Sequence, residues 1–221
     1  MIDIENYITE LIPLLRDRFG SRLVYVGLQG SYLRGEASES SDIDIMVVIE
    51  HLSVADLASY RGIIQSLPHC DKSCGFICSR EDLENWNPLE IWNLVNGTRN
   101  YFGVLEDLIP AYTREDIRNF VKLSINNLYH ELCHRYIHGD PANTVQAMPG
   151  IYKGVFFILQ NLQYLKNGQC PVSKLELLAV LEGSDKAVLQ RSLELGRGVE
   201  HDFADNFELL FTWCQETLES V

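Results

Sequence analysis

Tyr7, Ile8, Leu11, Leu14, Leu15 and Phe19 recur at the three- and four-residue spacing of one helix face, and Gly20 follows as a stop. The period then shortens. "RLVYVGL" (22–28) is a β-branched and aromatic run and predicts a strand. "DIDIMVVI" (42–49) predicts a second strand, continuously apolar after its two aspartates, as expected where both faces are covered. Ser53 with Asp56 predicts a capped helix through Leu67, and "SCGFICS" (73–79) predicts a third strand. From Thr113 the helical period takes over. "TREDIRNFVKLSINNLYHELCHRYIHG" (113–139) predicts one long helix, with Ile117, Val121, Leu128, Leu132 and Tyr136 as its apolar stripe. "GIYKGVFFILQNLQYLKNG" (150–168) is apolar nearly all round and predicts a buried helix. Segments 172–183, 185–196 and 205–220 predict three more. The expected architecture is α+β: a small mixed-sheet domain over residues 1–108, then an all-α helical bundle over 109–221, with Pro110 near the junction.

Composition narrows the function. A chain of 221 residues with 46% hydrophobic and 22% charged residues is long enough for a real core and ordinary for a soluble globular protein. Its net charge of −13 opposes a grip on phosphate backbones, so no nucleic-acid partner is expected; cationic small molecules are compatible with it. No apolar run approaches the roughly 18 residues of a membrane span, so no membrane partner is expected. "MIDIENYITE" lacks the layout of a signal peptide, which sets the cytoplasm as the expected location. The six cysteines then read as reduced thiols. Cys70, Cys74 and Cys78 are spaced by four, which fits no CxxC zinc pattern.

The aspartates carry the chemistry. Asp42 and Asp44, at i and i+2 of a strand, project to one side, with Ile43 and Ile45 on the other. Two carboxylates held together repel unless a proton or cation sits between them. Their hard oxygens suit Mg²⁺, which shares its shell with waters and substrate phosphates. Upstream, Gly30 lets backbone approach a ligand closely, and the N–H groups after Ser31 suit an anion. A phosphate cradle a short loop before paired carboxylates describes metal-assisted phosphoryl or nucleotidyl transfer.

The whole stretch "GSYLRGEASESSDIDIMVV" (30–48) resembles the GS-x-x-RG…SD-x-D signature of the DNA polymerase beta-like nucleotidyltransferase superfamily, and most of all its small bacterial aminoglycoside-type members. The match is strong over residues 22–50. The helical half resembles the bundle those enzymes carry, with "YLKNGQCPVSKLELL" (164–178) similar to a stretch where a Ser-Lys pair follows a glycine turn. The resemblance implies that Gly30, Ser31 and Arg34 hold a nucleoside triphosphate, ATP or another NTP, and that Asp42 and Asp44 bind two Mg²⁺ ions. Lys174 would neutralise phosphate charge in a cleft between the domains. The reaction implied is transfer of AMP from ATP to a hydroxyl of a small, aminoglycoside-like acceptor; a homodimer is left open. The family's third carboxylate sits in the next core strand, as metal ligand or general base. Here that strand holds Ser73, Cys74 and Gly75, so Asp71 at its entrance is the candidate and Glu90 the substitute. Without either, the chain would bind nucleotide and not turn it over.

A second motif competes. "HELCH" (130–134) matches H-E-x-x-H, with His130 and His134 on one helix face and His138 one turn on. A zinc hydrolase would need a third ligand and a glutamate free to act as base. The longer H-E-x-x-H-x-x-G-x-x-H pattern fails in "HELCHRYIHGD".

Overall fold

The structure, a computed structural model, describes residues 2–221. The chain divides into two compact units, residues 1–112 and 113–221.

The first unit is built on four strands: β1 (Leu23–Leu28), β2 (Ile43–Ile49), β3 (Ser73–Ser79) and β4 (Arg99–Phe102). They are ordered β3-β2-β1-β4. β1 runs antiparallel to β2 and β4, and β2 runs parallel to β3, so the sheet is mixed as expected. Its helices are α1 (Ile4–Phe19), α2 (Gly30–Leu33), α3 (Val54–Ser66), α4 (Arg80–Glu84) and α5 (Pro88–Asn96). β2 obeys the two-residue pleat. Ile43, Ile45, Val47 and Ile49 pack with Tyr7, Ile8, Leu11 and Leu15 of α1, and with Ile63 and Ile64 of α3. Met46 and Val48, on the other face, pack with Tyr25, Cys78, Leu83 and Leu105. Both faces are covered, which is why the strand after its aspartates is apolar without alternation. Two capping boxes set helix starts here: Ser53 with Asp56, and Ser79 with Asp82.

The second unit holds α6 (Arg114–His138), α7 (Pro141–Lys153), α8 (Val155–Asn167), α9 (Lys174–Val180), α10 (Gly183–Gly196) and α11 (Phe203–Ser220). Thr113 and Asp116 form the capping box of α6, which buries Ile117, Val121, Ile125, Leu128 and Leu132. The expected stripe fails at its end: Tyr136 is 62% exposed and packs tilted against the Phe207 ring, centroids 4.6 Å apart, instead. The single helix expected over 150–168 is two helices meeting at Gly154, the first starting at Pro141 under an Asp140 cap. Among the described residues, no helix is long and apolar enough to cross a membrane.

Candidate active site

The site is built where β1 turns back into β2. Gln29 leaves β1 and is tied down twice. Its backbone N–H donates to the Asp44 carbonyl at 2.9 Å, and its side-chain amide donates to Thr98 Oγ1 at 2.8 Å. Thr98 in turn donates to the Leu94 carbonyl at 2.6 Å. Gly30 follows with a φ of +69°, a left-handed conformation that L side chains rarely adopt. It opens α2, one turn whose N-terminus no side chain caps, so its first amides lack intrahelical partners. Arg34 closes that turn, its N–H donating to the Gly30 carbonyl at 3.3 Å. The Arg34 guanidinium pairs with Glu36 at 3.1 Å, both side chains largely buried.

The carboxylates lie at the start of β2. Asp44 is half-buried in the strand, and Asp42 is exposed one residue before it. The carboxylate of Asp44 sits against the Gly30 backbone: a β-carbon on Gly30 would stand 1.9 Å from Asp44 Oδ2. The Gly30 turn and the Asp44 carboxylate are therefore in direct contact.

In the next strand, Ile43 pairs with Ser73, Asp44 with Cys74, and Ile45 with Gly75. The residue beside Asp44 on the same sheet face is thus the exposed thiol of Cys74. The register is held by Gly75, where φ is +102° and a β-carbon would lie 2.1 Å from the Ile45 carbonyl oxygen. Asp71 is exposed in the turn of residues 70–72, at the sheet end that Asp42 occupies but outside the paired ladder. Glu90 lies on α5 and accepts a 2.7 Å hydrogen bond from Trp86 Nε1. Cys78, further along β3, is buried and its thiol is pushed up to about 12 by desolvation, a packed and inert group.

The remaining predicted residues belong to the second unit. Lys174 is the first residue of α9 in the second unit, after the Ser173–Glu176 capping box. His130, His134 and His138 form an exposed row on α6, with ring centroids 6.2 and 5.2 Å apart. Glu131, the glutamate of that motif, pairs with Arg135 at 2.8 Å. Gln29 and Thr98 have no sequence signal; they are 69 positions apart and meet only through the β1–β4 pairing.

A sequence profile of the nucleotidyltransferase domain matches residues 8–122. That is over half the chain, and the chain belongs to this family of enzymes. It is 48% identical over 50 residues to the protein adenylyltransferase MntA of Thermococcus cleftensis, a stretch covering 23% of this chain and 48% of that protein. It is 37% identical over 49 residues to a putative protein adenylyltransferase of Methanocaldococcus jannaschii, covering 22% of this chain and 33% of that protein. The chain thus spans half or less of the length of these relatives. Its fold is similar along 97% of its length to 99% of spectinomycin adenyltransferase AAD(9) from Enterococcus faecialis, solved with ATP and spectinomycin, at a TM-score of 0.59 and 13% identity. That likeness extends over both units, as the resemblance read from residues 30–48 and 164–178 implied.

The donor set at this site fits a hard divalent cation. Asp44 offers carboxylate oxygens beside a side-chain-free glycine, and Asp42 stands two residues before it at the start of the strand, a donor set that would leave the rest of the shell to water and phosphate. Among the described residues no three histidine, cysteine, aspartate or glutamate side chains gather as a metal-holding group.

Proposed function

We propose that this chain is an adenylyltransferase that moves AMP from ATP to a hydroxyl of a small cationic acceptor. The observation that carries the reading is the seating of the Asp44 carboxylate on the Gly30 backbone, which supports a turn suited to phosphate next to an acid suited to a metal ion. Gly30 and Ser31 hold the triphosphate through backbone amides. Asp42 and Asp44 hold Mg²⁺, which when bound offsets the charge of the triphosphate and of the leaving pyrophosphate. Arg34, paired with Glu36, keeps the turn closed around Gly30. The acceptor oxygen forms a bond to the α-phosphorus as the bond to pyrophosphate breaks, and the hydroxyl proton passes to solvent or a base. The net charge of −13 favours an acceptor carrying amines, as spectinomycin does in the structural neighbour's complex.

A second reading has a specific observation behind it. With Cys74 beside Asp44, the chain binds nucleotide with two acids and lacks a carboxylate base on the neighbouring strand. Calorimetry with ATP and Mg²⁺, on the wild type and on Asp42→Ala/Asp44→Ala, tests the site: binding lost in the double variant is expected, and unchanged metal-dependent binding rejects the assignment. Pyrophosphate release across aminocyclitols, aminoglycosides and a hydroxyl-bearing protein separates the two readings. Tight binding with no release from any acceptor favours the second.

A further inference from the structure

β3 ends the sheet, and among the described residues no strand pairs with its outer side. Edge strands are normally shielded by a bulge, a proline, an inward charge or short length. β3 has none of these. It is seven residues long, its register with β2 runs without a shift from Ser73 to Ser79, and it contains no proline and no charged residue. Cys74 and Gly75 are exposed, and Phe76 and Ile77 are half-exposed.

Beside the second half of this edge lies a cavity of about 780 Å³. Its apolar wall is Phe76 stacked on Trp86, ring centroids 5.9 Å apart and planes at 22°. Its polar wall is acidic: Glu81 and Asp82, with Asn85, and no lysine or arginine lines it. Asp82 stays ionised because the Ser79 hydroxyl and amide hold its carboxyl below the ordinary range. The nearby Arg80 is turned to Glu50 at 3.0 Å.

We propose that the outer edge of β3 takes an extended, basic segment of a partner protein as a fifth strand. Cys78 and Ser79 are buried, so the outward N–H and C=O groups of the exposed stretch, residues 73–77, give such a segment its backbone hydrogen bonds. Alternate side chains then drop into the aromatic-acidic groove, the arrangement of strand addition. Charge selects the occupant. A second copy of this chain would bring two Glu81–Asp82 rims and two charges of −13 together, whereas lysines or arginines complement them. Because Cys74 pairs with Asp44 and Phe76 with Met46, a strand on this edge passes about 10 Å, two strand spacings, from the Asp44 end of β2. The surface stands on the first unit alone and does not depend on which acceptor is used.

Trp86 makes the test direct, since the other two tryptophans, Trp92 and Trp213, are buried. The probe is a ten-residue peptide of alternating lysine and threonine, titrated into the full chain while tryptophan fluorescence and backbone amide exchange are followed. Saturable change at Trp86 with slowed exchange along β3 is expected. The matching glutamate–threonine peptide should not bind, Glu81→Lys at an exposed position should weaken the lysine peptide by about tenfold, and N-methylation of alternate peptide amides should abolish binding. No binding of the lysine peptide, equal binding of the glutamate or N-methylated peptide, or no effect of Glu81→Lys would each overturn the proposal. So would a dimer in sedimentation whose β3 amides are already protected without peptide, since a second copy would then be the occupant.

Discussion

Gly30 and Asp44 compete for one volume: a β-carbon on Gly30 would lie 1.9 Å from Asp44 Oδ2 and 2.7 Å from its Cγ. Two physical reasons therefore fix glycine at position 30, the contact and the φ of +69°. Gly30→Ala should cost about 1 kcal/mol or more in left-handed strain and push the carboxylate aside as well. The expected outcome is a lower thermal midpoint together with at least a roughly tenfold loss of ATP affinity, of the size expected when a group supporting a ligand set is disturbed. Calorimetry at a temperature where the variant is fully folded separates the two effects. Undiminished affinity there would show that the Gly30–Asp44 packing is structural only.

The two aspartates differ in setting, and their variants should differ too. Asp44 is half-buried, paired in the ladder and braced by Gly30, whereas Asp42 is exposed ahead of the strand. A carboxylate fixed by its surroundings gives a cation more than one that must first be ordered. Asp44→Asn, which keeps shape and removes charge, should bring ATP affinity with Mg²⁺ down to its value without metal. Asp42→Asn should retain part of the metal dependence. Titrations of ATP with and without Mg²⁺ on each variant check this, and equal losses would refute the ranking.

Period and caps made most of the fold legible. The capping box at Ser53, the start of the long helix after Thr113 and the stop at Gly20 lie where sequence places them, and β3 spans residues 73–79 as expected. β4 was not visible, because "RNYF" is four residues with no apolar run and exists only by pairing with β1. α7 was missed for a related reason. It buries only Thr144, Met148, Ile151 and Tyr152, and contains Pro149, so its first half shows no helical stripe. At the candidate site, Asp42 and Asp44 stand out because aspartate is depleted in strands, and Gly30 because it lets the backbone approach a neighbouring group closely. The neighbour of Asp44 does not, since a parallel register depends on where Gly75 meets Ile45, a contact between residues 30 positions apart. The clamp of Gln29 on Thr98 escaped for the same reason.

Acid should loosen the first unit at a defined place. Asp56 is buried at the start of α3, bound by Arg22 through both guanidinium nitrogens at 2.7 and 3.2 Å and by the Ser53 hydroxyl at 2.7 Å. Arg22 above all, then Ser53, holds its carboxyl far below the usual carboxylate range. A depressed folded-state value means the stabilisation is complete above the unfolded value of about 3.9 and is lost as pH falls below it toward the folded value. Urea midpoints of the wild type and Asp56→Asn should therefore differ constantly from pH 7 to 5 and converge below about pH 4. A gap that stays constant down to pH 2 would show that the Arg22–Asp56 pair is not the source.

Cys74 is the position where one substitution should change chemistry most. It stands in register with Asp44 on the same sheet face, is exposed, and has a soft thiol side chain in the strand where the resemblance implies a carboxylate. The acids considered as substitutes are differently placed: Asp71 lies outside the ladder, and Glu90 is hydrogen-bonded to Trp86. Cys74→Glu would put a third carboxylate beside Asp44, close enough to take the proton of an acceptor hydroxyl. General-base catalysis is worth roughly 10²–10⁴-fold, so pyrophosphate release with an accepted substrate should rise by about 10²-fold while ATP affinity in Mg²⁺ changes little. The added charge also repels Asp44, so the variant should melt lower than wild type without Mg²⁺ and recover when Mg²⁺ and ATP are added. Cys74→Ser serves as the control and should match the wild type in rate. If Cys74→Glu binds ATP normally and is no faster, proton removal does not limit this site, and the thiol beside Asp44 is compatible with full turnover.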